Sequence, residues 1–261
     1  MLGTNWLRRF LENRRDREEP DWNAPCALPE RLRRPLGRSL SHFQLGESGG
    51  GEFLLANAES VAAERGDPDY PRALALFVAE ENDHARLLAR LVERYGATLT
   101  REHWTHFAFH HLRHAAGLDF ELQVLVIAEM IGNAYYETLG AHLDDPPLAQ
   151  AIERILRDES LHCQFHLDRL HLALDARAVR ARRLWALAFV GLFEAALAVA
   201  WLDHRGALRA AGARRGEFLA RARRWRRGFL GELGLGRPAV LPTPGDLRKP
   251  GTVPRLSQKT G

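Results

Sequence analysis

The chain has 261 residues and a mildly basic balance of +4, which allows one large helical core and does not require two domains. Of its 37 basic residues only Lys249 and Lys259 are lysines, so arginine dominance reflects composition rather than a specialised patch. Cys26 and Cys163 form no close-spaced pair, which excludes a disulfide framework or a cysteine zinc site.

The opening segment "MLGTNWLRRFLENRRDREEP" has basic residues with no apolar run after them, so it is not expected to act as a secretory signal, and a cytoplasmic setting is expected. Residues 1–40 carry Pro20, Pro25, Pro29 and Pro35 among charges and predict an irregular arm. A first helix is then expected to run to about Arg65, ended by Gly66 and "DPDYP". A second is expected from about Arg72 to Tyr95, ended by Gly96. A long connection leads to a third helix over about Asp119 to Leu143. "DDPP" breaks it before a fourth, over about Leu148 to Leu174. Two helical hairpins joined by a crossover predict an all-α four-helix bundle over residues 41–175.

Polar groups interrupt the apolar stripes of these helices in a regular way. In "LFVAEENDHARLL", Glu81 and His84 keep phase with Leu74, Phe77, Leu88 and Leu91. In "RDESLHCQFH", Glu159 and His162 keep phase with Ile152, Ile155 and Leu170. Three residues of helix rise are about 4.5 Å, so both side chains of a Glu-x-x-His pair can reach one metal ion. Two pairs supply two imidazoles and two carboxylates, and a pair of metal ions calls for more negative charge. Glu129 in "LVIAEMIGNAYYE" lies 30 residues before Glu159, a separation suited to antiparallel helices and a short turn. In the first hairpin Glu47 shares a face with Leu54 and Ala58, whereas Glu52 lies on a more polar face; burial favours Glu47 as the ligand, with Glu52 the alternative.

This constellation resembles the ferritin-like di-iron carboxylate superfamily over about residues 41–175. The resemblance implies Glu47 and Glu129 as single carboxylates, with Glu81, His84, Glu159 and His162 as the paired motifs. It also implies motif glutamates that bridge the ions. Two metal ions are implied, iron first and manganese second. The activity implied is oxidation of a small-molecule substrate by dioxygen or peroxide, with a separate electron donor. Neither that substrate nor that donor can be named from the sequence. A ferroxidase or iron-handling protein, and a non-catalytic helical interaction protein, are the alternatives.

The run "GESGGGEF" departs from the regular helix that the pattern asks for. Its glycines either permit close approach of a neighbouring helix or leave room for a substrate. His166, one turn past His162, is open between a further ligand, a group supporting a ligand and a packed core histidine. Tyr136 is expected to pack in the core, and Glu80 and Glu121 to be solvated. His103, His106, His110, His111 and His114 in the crossover are expected to make a polar helix face rather than a metal site.

Residues 178–235 predict a further pair of helices, and 236–261 a loose tail. Leu184 to Leu202 is apolar nearly all round, with Glu194 near its centre. It is expected to pack on the bundle or in the subunit interface of a homo-oligomer, with membrane association the lesser alternative. The arginines of "RARRWRRGF" are expected on a solvated face. No nucleic-acid-binding motif accompanies them, so no nucleic acid is expected as a partner.

Overall fold

A computed structural model describes residues 2–15, 17–48, 51–113 and 118–243. These residues are all-α, with nine helices and no strand. In chain order the helices are α1 (Leu2–Asn13), α2 (Glu30–Glu47), α3 (Glu52–Arg65), α4 (Asp69–Arg94), α5 (Trp104–Arg113), α6 (Leu118–His142), α7 (Pro146–Asp175), α8 (Val179–Ala210) and α9 (Arg215–Glu232).

The architecture is organised around α6. Every residue from Glu129 to Leu139 is buried, because helices α3, α5, α7, α8 and α9 all touch α6. A helix that is apolar around most of its circumference needs that cover. Helix α4 is amphipathic and packs against α1, α2, α3 and α7. Two apolar clusters result. The larger includes residues of α2, α4, α6, α7, α8 and α9, and the smaller gathers Trp6 and Phe10 of α1 with Phe77, Leu122 and Phe165.

The irregular arm expected over residues 1–40 is corrected by two helices. In α1, Trp6 and Phe10 lie one turn apart and are fully buried. In α2, Pro29 is the N-cap and Pro35 lies inside the helix, whereas Pro20 and Pro25 stand in irregular chain between α1 and α2. The first bundle helix is likewise two helices, α2 and α3, separated at residues 48–51.

The expected tail is packed as far as the description extends. Leu241 is buried, its amide donates to Glu232 at 2.7 Å, and Ser160 Oγ donates to the Pro242 carbonyl at 3.1 Å. Gly228 makes this approach feasible, since a Cβ there would lie 2.5 Å from the Val240 carbonyl oxygen. Residues 244–261 of the expected tail lie outside the described residues.

Helix α8 is long and apolar enough to cross a membrane by length and composition. Phe189, Phe193, Leu197 and Trp201 bury one face against the rest of the chain, while Leu184, Leu187 and Leu202 on the other are exposed. Only 22% of its apolar stretch is buried within this chain, so the expected burial is found on one stripe alone. Glu194 bonds Arg223 at 2.7 Å and Arg226 at 2.5 Å, and Arg221, Arg224 and Trp225 surround the buried carboxylate of Glu137. The arginine-rich helix α9 thus neutralises acids on α6 and α8, which corrects the expectation of a solvated face.

Candidate metal centre

Four helices bring the six predicted ligands together. Glu47 comes from the last turn of α2, Glu81 and His84 from α4, Glu129 from α6, and Glu159 and His162 from α7. Ligand atoms of Glu47, Glu81, His84 and Glu159 all lie within 4.8 Å of one another, as do those of Glu129, Glu159 and His162. Glu159 belongs to both groups and so links them. Glu81 also faces both histidines, with Oε1 3.0 Å from His162 Nδ1 and 3.8 Å from His84 Nδ1. The side chain of Glu52 lies outside the described residues; its backbone opens α3.

The hydrogen bonds of this cluster leave a consistent set of atoms over. Buried and without a hydrogen-bond partner are Glu81 Oε1, His84 Nδ1, Glu129 Oε2, Glu159 Oε2 and His162 Nδ1. An unpaired buried polar atom costs about 1–3 kcal/mol, so five in one place need a common partner. Carboxylate oxygens and imidazole nitrogens are jointly satisfied by a divalent cation, and these residues therefore fit a metal pair.

The opposite nitrogen of each histidine is held in a crossed arrangement. His84 Nε2–H donates to Asp158 at 3.0 Å, and His162 Nε2–H donates to Glu80 at 2.9 Å. Each carboxylate immediately precedes the motif glutamate of the other helix, so α4 orients the α7 histidine and α7 orients the α4 histidine. Such bonds fix the tautomer that leaves Nδ1 free for a metal. Glu80 is fully buried, which corrects its expected solvation. Its spacing carries the signal: Glu80 is four residues before His84, as Asp158 is before His162, and i, i+4 residues share a helix face. Glu121 is also fully buried rather than solvated, because α6 has no solvent face there.

Beyond these carboxylates lies the N-terminal region. Asn13 Nδ2 donates to Asp158 at 2.7 Å and to Glu80 at 3.0 Å; Arg17 pairs with Glu80 and lies 3.1 Å from Asp158. On the α6 side, His166 Nε2–H donates to Glu129 at 2.8 Å, which makes it a support for a ligand. Tyr136 is buried as expected, and its hydroxyl donates to Glu47 at 3.4 Å.

The electrostatics follow from burying several like charges together. Burial, reinforced by the neighbouring carboxylates, raises Glu47 and Glu81 above the usual carboxylate range and pushes Glu159 up to about 7. Burial opposes the charged forms of His84 and His162. The carboxylates around them prevail and hold both well above the usual imidazole value. Asp158 differs: burial would raise it, but His84 and Arg17 hold it down at about 2. No family model, curated protein or solved structure matches this chain.

The centre opens onto a cavity of about 280 Å³. Glu47, Glu81, Glu129 and Glu159 form part of its wall, and Phe43, Phe77 and Leu125 contribute apolar surface. Gly51 and Gly46 of "GESGGGEF" each match one of the two purposes considered, and Gly49 and Gly50 lie outside the described residues. A Cβ on Gly51 would lie 2.4 Å from Val78 Cγ2, so α3 starts in close contact with α4. Gly46 lines the cavity and has open space where its Cβ would be.

The described crossover histidines do not share one helix face. His103 turns to Asp203, His106 lines the cavity, and His111 bonds the Phe107 carbonyl. The side chain of His110 and all of His114 lie outside the described residues.

Proposed function

We propose that this chain is a ferritin-like di-metal carboxylate oxidoreductase that oxidises a small, largely apolar substrate. In this reading α2 with α3, α4, α6 and α7 are the bundle helices, and the stretch containing α5 is the long crossover. The observation that carries it is the convergence of unpartnered Glu81, His84, Glu129, Glu159 and His162 atoms around two positions sharing Glu159.

Charge supports two ions rather than one. Glu47, Glu81, Glu129 and Glu159 ionised carry four negative charges, which balance two divalent cations. The two imidazoles add neutral donors without changing that balance. Iron is the first choice and manganese the second. Bound iron would supply the electrons for reduction of dioxygen or peroxide. Asp158 and Glu80 hold the imidazoles in the ligating tautomer, His166 holds Glu129, and Tyr136 steadies Glu47. The apolar cavity wall lowers water access and accepts a substrate of modest size.

The cavity favours an organic substrate over iron as the molecule oxidised, since a ferroxidase needs no apolar chamber beside the ions. The test is metal analysis of purified protein followed by titration of the reduced protein with excess iron(II) in an oxygen electrode. We expect about two irons retained at this centre and about one O2 consumed per pair before uptake stops. Continued uptake with many ferric ions retained would establish iron handling instead, and absence of metal binding at these residues would remove the reading altogether.

A further inference from the structure

A second group of potential ligands lies on the wall of the same cavity and takes no part in the carboxylate-rich centre. His42 from α2 and the neighbouring Asp203 and His204 from α8 have ligand atoms within 4.8 Å of one another. His42 Nδ1 is 3.0 Å from Asp203 Oδ2, and His204 Nε2 is 3.6 Å from that same oxygen. His103 approaches the other oxygen, Oδ1, at 3.5 Å and stacks on the His42 ring with centroids 3.9 Å apart.

We propose that His42, Asp203 and His204 form a mononuclear site for a divalent transition-metal ion of the zinc or iron(II) kind, separate from the carboxylate-rich centre.

Spacing is the first argument. Nitrogen and oxygen donors about 2.1 Å from one ion in tetrahedral arrangement stand about 3.4 Å apart, and the separations here are 3.0 and 3.6 Å. At 3.6 Å the His204 contact is too long to be a hydrogen bond, so that nitrogen faces a carboxylate it does not bond.

Orientation is the second argument. Ser39 Oγ lies 2.8 Å from His204 Nδ1, and Thr105 Oγ1 lies 2.6 Å from His103 Nδ1. Both rings are anchored through the nitrogen that points away from Asp203, which for His204 is the arrangement by which a metal-binding imidazole is held and for His103 fixes the ring that faces Asp203.

Two histidines and one carboxylate are a ligand set that binds zinc or iron(II) with coordination positions left over. His42, Asp203 and His204 all line the cavity, so those positions are available to water or to an oxygen donor on a molecule held there. His103 acts on Asp203 from the other side as a positioning residue.

The test uses the full chain, stripped of metal and titrated with cobalt(II), then competed with zinc, with ions counted after desalting. Wild type should bind three ions, His42→Ala and Asp203→Asn two each, and the double variant Glu81→Ala, Glu159→Ala one. That last ion should show the intense visible bands of low-coordinate cobalt, and zinc should abolish them. If His42→Ala and Asp203→Asn bind as many ions as wild type, or the double variant binds none while its circular dichroism melt shows it folded, the proposal fails. Should a variant fail to fold, the decision falls to wild type, whose low-coordinate cobalt bands must survive occupation of the other centre by iron. Their absence overturns the site. A wild-type count of one ion, lost in His42→Ala, would support this site while removing the proposed di-metal centre.

Discussion

His84 Nε2 and Asp158 Oδ2 lie 3.0 Å apart and are both fully buried, joining α4 to α7 beside the carboxylate cluster. Asp158 also receives Asn13 and Arg17, so the N-terminal region acts on the histidine through the carboxylate. Asp158→Asn keeps the shape and removes the charge. It should lower metal affinity about 10–100-fold, with Arg17→Ala producing a smaller loss in the same direction. Isothermal titration with iron(II) or manganese(II) reads this. Unchanged affinity in Asp158→Asn would mean that the crossed pairing serves only packing.

Glu47 and Glu52 make opposite predictions. Glu47 belongs to the four-residue ligand group and accepts a hydrogen bond from Tyr136, while the side chain of Glu52 lies outside the described residues. Glu47→Ala should lower the number of bound ions by about one relative to wild type, and Glu52→Ala should leave it unchanged. Elemental analysis after desalting decides, and the reverse pattern would transfer the ligand role to Glu52.

Much of this centre could be read from periodicity. Glu81, His84, Glu129, Glu159 and His162 all keep phase with apolar neighbours, and helical phase is a local property of sequence. What escaped has two causes. Glu80 and Asp158 adjoin the motif glutamates, and attention to the i, i+3 pair obscured the i, i+4 relation that puts them on the histidine's side. Asn13 and Arg17 act across more than sixty residues of chain, and no local pattern encodes that docking. Pro29 and Pro35 belong to α2 while Pro20 and Pro25 stand in irregular chain, and composition alone does not distinguish a helix start from a loop. The His42, Asp203 and His204 cluster was invisible for the same reason as Arg17: its members come from α2 and α8, which only tertiary packing brings together.

The apo protein should lose stability as pH rises. Glu159 has its folded value raised to about 7, so its contribution is full below the ordinary 4.5 and is lost as pH climbs through about 7. Glu47 and Glu81 act in the same direction. His84 and His162, raised above 6.5, extend the loss to higher pH. His204, lowered to about 4, and His103, also lowered, have the opposite sign below 6.5 and offset part of the effect. Calorimetry should therefore show the apo melting temperature falling from pH 5 to pH 8, in contrast to a flatter or rising profile with metal, because cations replace the protons. Parallel profiles would argue that no metal displaces protons at these groups.

Gly46 permits a test of the cavity that spares the ligands. A side chain at this helical position meets no atom within 4 Å at its Cβ, and leucine is a better helix former than glycine by up to about 1 kcal/mol. Gly46→Leu should fold, bind as many ions as wild type does, and weaken binding of a small apolar fluorescent probe at least several-fold. If probe affinity is unchanged, the cavity beside Glu47 is not where such molecules enter.

Helix α8 makes the final prediction. Spanning a bilayer would require Phe189, Phe193, Leu197 and Trp201 to leave their contacts with the rest of the chain. It would also separate Glu194 from Arg223 and Arg226, leaving a carboxylate that costs about 2.5–3.5 kcal/mol at mid-membrane. The exposed Leu184, Leu187 and Leu202 are compatible with contact at a surface but do not extend around the helix. Any protein found with membranes should therefore be released by alkaline carbonate, and Glu194→Ala should lower the melting temperature by a few degrees without changing that partition. Retention after the carbonate wash would show that α8 leaves the fold to insert.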